Sequence, residues 1–135
     1  MADLKLSDLR ILFVDDDPQV LKLVTLILKQ IGVKHVMTKD NAKDALAYLN
    51  ENASKIEILL VDLLMPDMDG IELISALKTH DYKGGIAILS GANQNLVQLS
   101  GGLAAPSGIN WLGTYTKPAT KEKLQTLLHK FMDAG

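Results

Sequence analysis

The sequence predicts an α/β domain in which a parallel sheet is covered by helices on both faces, and three observations carry that expectation. Short apolar stretches of strand length alternate with stretches of helical periodicity from one end of the chain to the other. Strands that alternate with helices read as parallel units joined by right-handed crossovers. The stretches that look like strands are rich in Ile, Leu and Val rather than alternating, as in strands buried on both faces, and several of them close on a polar residue.

The elements follow in order. The stretch Arg10–Val14 closes on Asp15, Asp16 and Asp17, after which Pro18 stands where the first helical turn tolerates it and Asp17 can cap. The helix that follows carries Val20, Leu21, Val24, Leu28 and Ile31 at helical spacing and stops at Gly32, a residue suited to the C-terminal end of a helix. A short strand is expected over 35–38, a helix over 41–50 through Ala42, Ala45, Leu46 and Leu49, and a buried strand over 56–61 ending on Asp62. Then come a helix over 70–77, a strand over 86–89 ending on Ser90, and a weaker helix over 95–105 that contains Gly101 and Gly102. A last strand over 111–115 leads to Lys117 and Pro118, an X-Pro bond of the kind that can be cis. Thr120 can cap the closing amphipathic helix, with Leu124, Leu127, Leu128 and Phe131 on one stripe. Five strands thus alternate with five helices.

Composition limits the function classes. A chain of 135 residues with 47% hydrophobic and 22% charged residues has room for one domain with its own core. Fourteen Lys and Arg against sixteen Asp and Glu, with no dense basic block, argue against direct nucleic-acid binding. There is no Cys, so disulfides and thiolate metal sites are excluded. The first ten residues lack the apolar core of a signal peptide and no later run reaches membrane-spanning length, which makes a cytoplasmic location the expectation.

In a sheet of this type ligands bind at the carboxyl ends of the strands, near the point where strand order reverses. The predicted strand ends supply Asp15 and Asp16, then Asp62, then Ser90, then Lys117. Carboxylates gathered together repel unless a cation lies between them, and Mg²⁺ with oxygen ligands and waters answers that need. A lysine and a hydroxyl beside the metal suit the charge on a phosphoryl group in transfer, with a carboxylate as nucleophile. Each residue also has a plainer reading. A carboxylate between strand and helix is often an N-cap, which suits Asp17 better than Asp15 or Asp16. Asp62 could simply start the turn through Met65, Pro66, Asp67, Met68, Asp69 and Gly70. Ser90 alone is an ordinary strand-end hydroxyl and Lys117 alone a surface lysine; their joint placement favours the site. His35, His80 and His129 lack metal-ligand spacing.

The motifs Val14-Asp15-Asp16-Asp17-Pro18, Val61-Asp62-Leu63-Leu64-Met65-Pro66-Asp67-Met68-Asp69-Gly70, Leu89-Ser90-Gly91 and Lys117-Pro118 resemble, in order and spacing, the signature of receiver domains of two-component response regulators. The resemblance spans 9–131, and implies a receiver domain over 9–133 after an N-terminal extension of 1–8. It implies a flavodoxin-like, doubly wound sheet of five parallel strands in the order 2-1-3-4-5. It further implies that Asp62 accepts a phosphoryl group from a sensor histidine kinase or histidine phosphotransfer protein, that Asp15, Asp16, Asp62 and the backbone carbonyl of Leu64 serve Mg²⁺, and that Ser90 and Lys117 hold the phosphate. Phosphorylation would then switch the surface of the fourth helix, fifth strand and fifth helix toward a downstream output protein or domain, with no turnover of substrate and no membrane or nucleic-acid contact.

The chain departs from the family pattern in two places. The switch aromatic of the family stands three residues before the lysine, where this chain has Thr114; Tyr115 follows it and, in a regular strand, lies on the other face. The stretch between Ser90 and Lys117 is also longer than in the simplest receivers, and resembles receivers attached to cyclic-di-GMP phosphodiesterase domains. Two rival readings remain at this level. Asp15-x-Asp17 resembles the start of haloacid-dehalogenase-type phosphatases, for which this chain is short, and a receiver-like interaction module could have ceased to take phosphate, against which the presence of Asp62, Asp16 and Lys117 argues.

Overall fold

The structure, a computed structural model, describes residues 5–62, 73, 76, 77, 82, 84–91 and 110–134. Five parallel strands, β1 (Arg10–Val14), β2 (His35–Lys39), β3 (Ile58–Val61), β4 (Gly85–Ser90) and β5 (Asn110–Thr116), form one sheet in the order β2-β1-β3-β4-β5. The described helices are α1 (Pro18–Ile31), α2 (Ala42–Asn52) and a C-terminal α3 (Lys121–Ala134), with single 3-10 turns at Leu6–Asp8 and Ala53–Lys55. Leu73 and Ala76 are helical as expected for 70–77, while the rest of that stretch, apart from Leu77, and the whole of 95–105 lie outside the described residues.

Local chemistry fixes the helix ends. The Asp17 carboxylate accepts from the Gln19 amide at 2.9 Å, so it is the cap of α1, and Pro18 fills the first helical position. At the other end Gly32 adopts φ 128°, a conformation that side chains resist, and its amide donates to the carbonyls of Leu28 and Lys29. Asn41 caps α2 by accepting from the Asp44 amide at 2.8 Å while its own amide donates back to the Asp44 carboxylate at 3.0 Å. Thr120 Oγ1 accepts from the Lys123 amide at 3.2 Å at the start of α3.

Alternation along the strands divides the core into two layers. Leu12, Val14, Leu59, Val61, Ile86 and Ile88 face α2 through Ala42, Ala45 and Leu49. Ile11, Phe13, Ile58, Leu60, Ala87 and Leu89 face α1 and α3 through Val24, Leu28, Leu124, Leu127 and Leu128. With both faces covered, no polar position is tolerated within the central strands, which is why they read as near-continuous apolar runs. The third strand is shorter than 56–61 because Glu57 interrupts that run. Its Oε1 accepts from the Arg10 amide at 2.6 Å, and its backbone ties the starts of β1 and β4 together.

The last strand is irregular. Ile86 pairs with Trp111 but Ala87 pairs with Gly113, so Leu112 is the extra residue of a bulge, and Gly113 takes φ 110°. The bulge puts Leu112 and Tyr115, three apart in sequence, in the same α1/α3 layer, whereas Trp111 packs in the α2 layer. Tyr115 is thus paired with Leu89 and lies in that layer, with its hydroxyl donating to the Leu112 carbonyl at 2.7 Å, while Thr114 pairs with Ile88. The Tyr115 ring also lies under Lys130 Nζ, 5.9 Å from its centroid.

Candidate functional site

The strand order reverses between β1 and β3: the chain steps outward from β1 to β2, then crosses to β3 on the other side of β1. A crevice opens at the carboxyl ends of such a pair, and those ends carry Asp15 and Asp62. Both residues remain fixed by the sheet one step beyond their strands, since the Asp62 amide donates to the Val14 carbonyl at 2.9 Å and the Asp15 amide to the Lys39 carbonyl at 3.1 Å. Backbone pairing therefore places the two carboxylates before any side-chain interaction does.

Asp15 and Asp62 are the only polar or charged residues in the buried class among the described residues, at 0% and 4% exposure, while Asp16 faces solvent. Ligand oxygens of Asp15, Asp16 and Asp62 all lie within 4.8 Å of one another. Lys117, reached just after β5, brings its Nζ to 2.8 Å from Asp15 Oδ2 and 3.5 Å from Asp62 Oδ2. The peptide bond between Lys117 and Pro118 is cis.

Electrostatics set these groups against their surroundings. Burial pushes the Asp15 carboxyl above its ordinary range, and the charge of Asp62 adds to the rise; the hydrogen-bonding contributions of Lys117 and of the Asp17 amide only partly offset it. For Lys117 burial acts to lower the ammonium's pKa, but Asp15 and Asp62 together outweigh it and hold the group above its ordinary value. Lys117 is thus a permanent cation between two carboxylates.

The donor set suits a hard divalent cation. It consists of carboxylate oxygens, two of them buried on Asp15: Oδ1 accepts from the Asp17 amide at 2.9 Å, and Oδ2 faces the Lys117 ammonium at 2.8 Å. A buried carboxylate of that kind beside two further carboxylates fits Mg²⁺ coordination. Ser90 ends β4 opposite Thr116, on the same edge of the sheet; its side chain, and Leu64 altogether, lie outside the described residues.

One residue of this neighbourhood escaped the sequence reading. Lys123, on the first turn of α3, donates from Nζ to the carbonyls of Thr116 at 2.6 Å and Pro118 at 3.1 Å, the residues on either side of Lys117. A lysine in the first turn of a helix opposes the helix dipole, and that mismatch was the available signal.

A profile of the response regulator receiver domain matches residues 11–129. Among curated proteins, the response regulator GtcR of Aneurinibacillus migulanus is 31% identical over 101 residues, covering 74% of this chain and 40% of that protein. The two-component response regulator ARR12 of Arabidopsis thaliana is 41% identical over 66 residues, 49% of this chain and 11% of that protein. The chain therefore spans only a minor part of the length of these relatives. Among solved structures, a two component response regulator from Cytophaga hutchinsonii superposes with a TM-score of 0.77 at 26% identity over 92% of this chain and 96% of that one. A chain of the CheX–CheY–BeF₃–Mg²⁺ complex of Borrelia burgdorferi has the same fold, with a TM-score of 0.77 at 23% identity, covering 93% of this chain and 88% of that one. With the motifs, the strand order and the profile match over most of its length in agreement, the chain belongs to the receiver domain family of two-component response regulators.

Proposed function

We propose that this domain accepts a phosphoryl group on Asp62 from a sensor histidine kinase or histidine phosphotransfer protein, in a Mg²⁺-dependent reaction, and passes the signal on through the surface of the fourth expected helix, β5 and α3. The observation that carries the reading is the convergence of Asp15, Asp16, Asp62 and Lys117 at the switch point of the sheet. An Asp62 carboxylate oxygen would attack the phosphorus of a phosphohistidine; the P–O bond forms, the P–N bond breaks, and the leaving imidazole takes up a proton. Mg²⁺, held by Asp15, Asp16, Asp62 and the Leu64 carbonyl, would supply charge neutralisation for the phosphoryl oxygens. Lys117, fixed near both carboxylates, would pair with one of these oxygens, and the Ser90 hydroxyl would donate to another.

The domain is proposed to run over 9–133, to act in the cytoplasm without turnover of a substrate, and to touch neither nucleic acid nor membrane; no helix among the described residues is long and apolar enough to cross a membrane. A phosphatase with Asp15 as nucleophile is disfavoured, because that carboxylate is fully buried with one oxygen held by the Asp17 amide and the other beside Lys117. Incubation with Mg²⁺ and acetyl phosphate, followed by mapping of the modified residue, tests the reading. Phosphate on Asp62, absent in Asp62→Asn, is the expected result; labelling lost in Asp15→Asn but normal in Asp62→Asn would reverse the assignment.

A further inference from the structure

The opposite edge of the sheet carries the opposite charge. Arg10 opens β1, Lys34 precedes β2 and His35 opens it, and Lys55 stands just before the chain enters β3. All four line one cleft of about 440 Å³ between the N-terminal ends of these strands and the last turn of α2. No carboxylate lines the cleft among the described residues, and Glu57, which is close in sequence to Lys55 and Ile56, has Oε1 on the Arg10 amide. Lys55 also complements the carbonyl end of α2, but that role needs one cation, not a cluster.

The cleft is not only a charged rim. Val36, Met37 and Ile56 give it apolar wall, and Tyr48 adds an aromatic ring that Lys39 Nζ approaches to 5.4 Å from the centroid. Asn52 lines it with an amide whose Nδ2 is already donated to the Tyr48 carbonyl at 2.8 Å, which leaves Oδ1 as an acceptor. A volume in the range of small-ligand sites, apolar and aromatic wall, a side-chain amide acceptor and several cationic side chains match a ligand with a planar body, an N–H donor and phosphate charge. We propose that this cleft binds a nucleoside phosphate, at a site separate from the Asp62 edge and independent of phosphorylation there.

The test uses ADP as probe with the whole chain in Mg²⁺-free buffer containing EDTA, read by amide chemical-shift changes and calorimetry. Saturable shifts at Val36, Met37, Asn52 and Ile56 are expected, with weaker binding of adenosine, which lacks the charge, and of pyrophosphate, which lacks the planar body. Lys34→Gln/Lys55→Gln, two exposed positions, should weaken ADP roughly 10-fold and leave acetyl-phosphate labelling of the protein unchanged. Asp62→Asn should bind ADP as the parent does. Shifts confined to the Asp15 and Asp62 edge, no saturable binding, equal affinity for pyrophosphate, or binding unchanged in the double variant would each overturn the proposal. So would a Glu-rich peptide that occupies the cleft while ADP does not, since the cleft would then be a protein-docking surface.

Discussion

Lys117 Nζ stands 2.8 Å from Asp15 Oδ2, yet the Asp15 carboxyl remains above its ordinary value of 3.8. Desolvation is the larger influence, and the nearby Asp62 reinforces it. The folded state therefore holds the Asp15 proton more tightly than the unfolded chain does. The cost of its charge is absent below 3.8, develops as pH rises through the raised folded value, and is complete above it.

Asp15→Asn should accordingly stabilise the metal-free domain at pH 7, because it removes the desolvated charge and its repulsion with Asp62 while Lys117 keeps Asp62 as a partner. The difference in urea midpoint between variant and parent should shrink as pH falls toward 3.8, where the parent's carboxyl is also neutral. Saturating Mg²⁺ should stabilise the parent by mass action and leave the variant unmoved. A variant less stable than the parent at pH 7 would mean that the Lys117 contact outweighs desolvation.

Lys123 grips the carbonyls of Thr116 and Pro118, so it fixes the backbone on both sides of Lys117 without reaching the acidic cluster itself. Lys123→Met keeps the aliphatic stem and removes the donors. The rate of labelling by acetyl phosphate should fall about 10-fold, because small displacements of a positioned cation weaken the transition state steeply. Mg²⁺ affinity should stay as in the parent, and Lys123→Arg should recover most of the rate. Equal losses in stability and rate, unrescued by Arg, would reduce Lys123 to a capping role.

Gly113 sits in the β5 bulge at φ 110°. A Cβ there would lie 3.2 Å from the Tyr115 hydroxyl and 3.4 Å from Lys130 Nζ, both at the ends of side chains that can yield, so the backbone conformation sets the cost. Gly113→Ala should destabilise the domain by about 1–3 kcal/mol in urea denaturation. A neutral result would show that the bulge relaxes easily and that the shared layer of Leu112 and Tyr115 is not held by it.

The strands and the strand-end cluster were legible because each rests on local pattern, whereas the order of the strands came from the resemblance to receiver domains. Apolar stretches marked the strands, and residues one step past a parallel strand must emerge at its carboxyl edge, which is where Asp15 and Asp62 stand. The caps Asp17 and Thr120 could be read for the same reason. The bulge could not, since it depends on the packing of Trp111 and Leu112 into opposite layers, and Gly113 alone does not say which neighbour is the extra residue. The cationic cleft depends on contacts between segments distant in sequence, and Lys123 on the turn that brings the start of α3 back onto the carbonyls of Thr116 and Pro118. Periodicity within one segment is silent on these.

The final prediction concerns the lifetime of the phosphorylated state. On the proposed phosphorylation of Asp62, hydrolysis would require a water in line with its phosphorus, and by the resemblance to receivers the side chains two residues beyond Asp62 and two beyond Ser90 would flank that approach. In this chain they are Leu64 and Ala92, both outside the described residues. Neither side chain can hydrogen-bond and orient a water, and Leu64 adds apolar bulk, so the positioning contribution to hydrolysis is missing. The phosphoryl group should leave slowly. Leu64→Asn with Ala92→Glu should speed its loss roughly 10-fold if the new groups lower the barrier by ~1.4 kcal/mol. Decay is followed after removal of the phosphodonor at constant Mg²⁺, and a double variant that decays no faster than the parent would show that water access at these two positions does not set the lifetime.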